Sequence, residues 1–108
     1  MVRVLERVKP LVYGEDEIYT KITLYRGEVI DFAVIYYTLI DGEPHQVVRF
    51  DCAHGYAHKD TLCTDPPKKE DMPKLPYKEL FNLALDDIEK NWREYKQRHR
   101  RIKKEGKA

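Results

Sequence analysis

The sequence is poor in most residues that announce a specialised chemistry. It has two cysteines in 108 residues, Cys52 and Cys63, and they are too far apart for a C-x-x-C redox or zinc pair. Its longest uncharged apolar stretch, residues 32–40, is far too short to span a bilayer. Residues 1–9 are already charged and alternating, unlike a secretory leader. No P-loop, G-x-S-x-G element, zinc-finger spacing or RNP motif occurs. These absences imply no cofactor, no membrane partner and a cytoplasmic location with reduced thiols. Asparagine and glutamine are scarce too, two of each beside 20 Lys and Arg, a composition that fits a thermophile and leaves an intracellular disulfide open.

Charged and apolar side chains are abundant, at 36% and 42%, which excludes a disordered chain and suits one domain. The net charge of +1 hides an asymmetry: residues 1–89 sum to −6 and residues 90–108 to +7. Eight tyrosines favour a sheet with aromatic faces over a plain helical bundle.

Residues 17–26 alternate with period two, as a half-buried strand does. Gly27 marks a tight turn. Residues 29–40 are apolar on both parities, which suits a central strand covered on both sides, or one with a partner on its second face. Asp41-Gly42 is a type I′ hairpin signal. Strands are expected over about 45–52 and 58–64, with residues 2–5 and 11–13 adding an N-terminal strand broken at Pro10. Four prolines in residues 65–76 mark a connector that is neither helix nor central strand.

A helix is expected over about 77–103, with Pro76 suited to its first turn and a basic tail to 108. Phe81, Leu85, Ile88, Trp92, Tyr95, His99 and Ile102 form a seam with heptad spacing, widened by Leu80 and Ala84. The first half is expected to pack on the sheet; the narrower second half, to pack there too, to project or to dimerise. The fold expected is α+β: an antiparallel β-meander of three to five strands (about 2–64), the connector, and one long C-terminal amphipathic helix. A homodimer is expected, because the second face of residues 32–40 and the seam both offer an interface.

The polar residues concentrate in residues 49–60, RFDCAHGYAHKD. With a loop over residues 53–56, Asp51 faces His58 and Arg49 faces Asp60 across a hairpin, with His54 above them. Such pairs are ordinary sheet glue, contributing roughly 0.2–1 kcal/mol each. They also suit acid–base work on a phosphodiester: a carboxylate-held His58, His54 as second acid or base, Arg49 and Asp60 beside them, and Arg49 to bind phosphate. On that reading Lys96, Arg98, Arg100, Arg101, Lys103 and Lys104 attract RNA. A weaker metal reading takes His54, His58 and Asp51 or Asp60, with His45 as a further ligand.

The same stretch, Arg49-Phe50-Asp51, His54-Gly55 and His58, resembles a group of small uncharacterised bacterial and archaeal proteins with an R-[FY]-D-x-x-H-G-x-x-H core. More loosely, it resembles the TumE-like toxin components of toxin–antitoxin pairs. The second resemblance implies a toxin-like activity neutralised by an antitoxin-like protein partner. The remaining readings are a non-catalytic interaction module and a metal-binding domain.

One conflict stands. A two-residue Asp41-Gly42 loop pairs Val34 with Arg49 and Phe32 with Asp51, which puts the charged cluster on the face of the large apolar residues. Either the loop is longer by an odd number, or the cluster borders an apolar pocket or subunit interface.

Overall fold

A computed structural model describes residues 1–105, apart from the side chains of His54 and Glu105. The last three residues of the expected basic tail lie outside the described residues. Six antiparallel strands follow one another in chain order across a single sheet: β1 (Val2–Val12), β2 (Asp16–Tyr25), β3 (Glu28–Ile40), β4 (Glu43–Asp51), β5 (His58–Thr61) and β6 (Lys68–Asp71). One helix, α1 (Tyr77–Glu105), ends the described chain. The α+β meander is therefore the expected one with more strands.

The extra strand β6 lies inside the proline-rich connector. It has no apolar residue and pairs only with β5, so backbone hydrogen bonding alone recruits it. β1 is continuous through Pro10, where a break was expected. It is an edge strand, so a residue without an N–H is tolerated in it, and the register slips between Pro10 and Val12.

Two hairpins turn on two residues, Arg26-Gly27 and Asp41-Gly42. All four have positive φ, between 51° and 81°, as type I′ turns require. The loop at Asp41-Gly42 is thus no longer than two residues. The register conflict is resolved elsewhere, by a bulge: Tyr36 faces Val48 and Tyr37 faces Gln46, leaving Val47 as an extra residue in β4. Arg49 then faces Ile35 and Asp51 faces Ala33, on the side of the sheet away from the helix.

The helix lies against β3 and β4. Pro76 opens it, its carbonyl accepting from the N–H groups of Glu79 at 2.9 Å and Leu80 at 3.1 Å. Leu80, Ala84, Ile88, Trp92 and Tyr95 are buried on Phe32, Val34, Tyr36, Val48 and Phe50. The rings of Tyr36 and Trp92 meet edge to face at 6.2 Å. Burial continues to His99, so the second half of the helix packs on the sheet and does not project. The seam from Ile88 to His99 is accordingly closed to a partner. No described helix is long and apolar enough to cross a membrane.

Candidate functional site

The hairpin register expected for residues 49–60 is the register found: Asp51 faces His58 and Arg49 faces Asp60. Strand alternation sends all four side chains to the face opposite the helix. A short 3₁₀ turn, Ala53–Gly55, joins the strands and carries His54. Its side chain lies outside the described residues, so the expected role of His54 has no geometry.

The four remaining residues satisfy one another. Arg49 Nη2 donates to Asp60 Oδ2 at 2.9 Å and Nη1 to Gln46 Oε1 at 3.1 Å. Its Nε lies 3.3 Å from both Asp51 Oδ2 and Asp60 Oδ2. Gln46 in turn donates to the Tyr37 hydroxyl at 3.2 Å. His58 Nε2 is 2.9 Å from Asp51 Oδ1 and 3.7 Å from Asp60 Oδ2, so that nitrogen carries a proton. Nδ1 is turned to the Tyr56 carbonyl, 3.4 Å away.

A general acid or base must come within about 3 Å of the proton it moves. The His58 side chain is 2% exposed and both its nitrogens point into the protein. Arg49, 36% exposed, is engaged along its whole guanidinium. Asp51, His58 and Asp60 do bring ligand atoms within 4.8 Å of one another, a spacing a cation can bridge. The Arg49 guanidinium already lies on both carboxylates and supplies the positive charge they need. His45, the further ligand considered, is on the other face, its ring 5.7 Å from that of His99.

The expected RNA-attracting residues divide. Lys96 donates to Glu15 Oε1 and Asp16 Oδ2, both at 2.7 Å. Arg100 reaches Glu15 at 3.1 Å and Arg98 reaches Glu94 at 2.9 Å. Arg101, Lys103 and Lys104 are exposed.

Lys96 belongs to a second charged cluster that the sequence hides. The Asp16 side chain is fully buried, and its Oδ1 accepts from the Tyr36 hydroxyl at 2.7 Å. Burial pushes the Asp16 carboxyl up, but hydrogen bonds from Lys96 and Tyr36 outweigh it and hold the group below its ordinary value. In the sequence Asp16 sits in the acidic run Glu15-Asp16-Glu17 after Gly14 and reads as a solvated turn. On the opposite side of the helix, Lys59 is held by Asp87 at 3.3 Å and donates to the Tyr95 hydroxyl at 2.9 Å.

The helix leaves a groove beside its first half, of about 500 Å³, walled by Leu5, Ile22, Phe81 and Leu85 with Arg7 and Glu89 on the rim. Phe81 and Leu85 are the seam residues that the sheet does not fully cover. No periodicity signal could separate them from Leu80 and Ala84, because both pairs fall on the apolar stripe.

The chain belongs to the DUF7718 family. This is described as a domain of unknown function, and the match covers residues 5–105, so it takes in the sheet, the charged cluster and the helix. No curated protein and no solved structure matches the chain.

Proposed function

We propose that this domain is a non-catalytic, homodimeric protein-interaction module. The observation that carries the reading is the uneven cover of the sheet: one helix lies over β3 and β4 and reaches β2 at Asp16 and Ile18, while β1 is almost wholly exposed and the rest of β2 is only partly buried. That half exposes Leu5 (40%) and Val8 (58%), with Val2, Val4 and the groove beside the helix. Uncovered apolar surface of this kind marks an association site.

The alternatives have less to work with. The chain contains no serine. Both cysteines are free and buried, and burial pushes the Cys52 thiol up to about 11, so neither is an activated nucleophile. The ribonuclease-like reading keeps one favourable observation, the Asp51–His58 hydrogen bond that fixes the ring. It needs His58 and Arg49 to leave their partners before either touches RNA, so it stands second, together with the TumE-like toxin reading and its antitoxin partner. The metal reading stands third, because Arg49 would have to be displaced. A cytoplasmic location fits two free thiols.

Sedimentation equilibrium tests the reading. The expected mass in the micromolar range is twice the 12.9 kDa of one chain. A single-chain mass at every concentration, together with RNA cleavage lost in His58→Ala, would move the ribonuclease reading to first place.

A further inference from the structure

The surface bordering the groove is not uniform in charge, and the pattern suggests its occupant. On the helix side of β1 stand Arg3, Leu5, Arg7 and Lys9, placed there by pairing Leu5 with Ile22 and Ile22 with Phe32. This wall is apolar in the middle and basic around it. One such residue already shows what it binds: Lys9 Nζ meets Glu89 of the helix at 2.8 Å.

The helix carries the opposite pattern on its outer side. Glu79 and Asp86 flank Leu83, which is 45% exposed, and these residues line a shallow depression with Leu75 and Asn82. This patch is apolar in the middle with Glu79 and Asp86 around it, Asp86 also being bridged by Lys90 of the same helix at 2.9 Å.

We infer that the groove between α1 and β1–β2 receives the outer face of the first half of α1 from a second copy of this chain. This rests on the proposed self-association and names the surface that carries it. A two-fold axis running along the helices, which lays the two helices parallel and side by side, sets each acidic patch against the other copy's basic wall. The product is a sheet–helix–sheet sandwich in which each helix covers β3 and β4 of its own sheet and β1 and β2 of the other. The interface is isologous, with Arg3 and Arg7 of one copy facing Glu79 and Asp86 of the other. The opposite sheet face is a poorer choice. Its central rows carry Glu6, Lys21, Asp51 and Asp60, which interrupt the exposed Val2, Val4 and Val8 with charge, and it has no groove beside a helix to receive a partner.

The test is a charge exchange. One variant carries Glu79→Arg and Asp86→Arg; a second carries Arg3→Glu and Arg7→Glu. All four positions are exposed, and circular dichroism confirms folding before use. Each variant alone is expected to raise the dimer dissociation constant about tenfold or more, because like charges then meet across the interface. Mixing the two restores a heterodimer. A wild-type dimer whose dissociation constant neither variant changes would overturn this interface and leave self-association standing. A wild-type monomer at all concentrations would overturn both.

Discussion

The covered and uncovered halves of the sheet are built from similar strands and differ in what lies on them. Over β3 and β4, Phe32, Val34, Tyr36, Val48 and Phe50 are buried beneath Leu80, Ala84, Ile88 and Trp92. Over β1 and β2, Leu5 and Ile22 have only the flank of the helix beside them. The difference teaches that one helix, about 10–12 Å across, covers roughly two strands at a spacing of about 4.8 Å. A six-stranded sheet with one helix is therefore short of cover, and the shortfall falls on its two edges, where β1 and β6 are almost wholly exposed.

The sharpest way to break the comparison is to empty both halves. Ile88→Ala removes a side chain with no solvent exposure and is expected to cost about 2–5 kcal/mol in urea unfolding. Leu5→Ala is expected to cost about 1 kcal/mol or less in solutions too dilute for the proposed dimer to form. Equal losses in dilute solution would mean that the two halves are equally packed.

The buried ion pair at the border comes next. Asp16→Ala leaves Lys96 with Glu15 alone, in a setting where breaking a buried pair costs about 3–5 kcal/mol; the lower end is expected because Glu15 remains. The wild-type contribution of Asp16 also depends on pH. Its carboxyl is depressed in the folded state, so the stabilisation is present above the unfolded carboxylate value and is lost as pH falls through the folded one.

A third effect separates the ends of the helix. His99 is buried with no hydrogen-bond partner on either ring nitrogen among the described residues, and its pKa is lowered by burial, then by Lys103 and His45. The unfolded chain therefore binds this proton more readily. Stability is expected to fall as pH drops below about 6.5, the ordinary histidine value. His99→Phe should flatten that part of the pH profile in thermal unfolding; an unchanged slope would assign it to another group.

The smallest expected effect is at the cluster the sequence singled out. Asp51→Asn keeps an acceptor for His58 and sits on a partly exposed network, so about 0.5–1 kcal/mol is expected. A loss of RNA cleavage with no change in melting temperature would instead assign Asp51 to catalysis.

That cluster was legible in the sequence because strand parity is strict: Arg49, Asp51, His58 and Asp60 had to share a face once the loop was set. The face itself was not legible. It depended on Val47, a bulge residue with nothing in its side chain to distinguish it from Val48. The helix from Tyr77 was plain from its proline start and apolar stripe, whereas β6 pairs without any apolar residue to announce it. Asp16 escaped notice because an acidic run following a glycine looks like a turn until Tyr36 and Lys96 are brought onto it from distant parts of the chain.

The most direct test of the central claim is methyl NMR with a soluble paramagnetic probe, comparing Leu5, Ile22 and Leu85 with Ile88 as concentration rises. The account predicts that Ile88 is protected throughout, while the three groove methyls are broadened by the probe in dilute solution and become protected as dimer forms. Groove methyls that stay accessible at every concentration would contradict it.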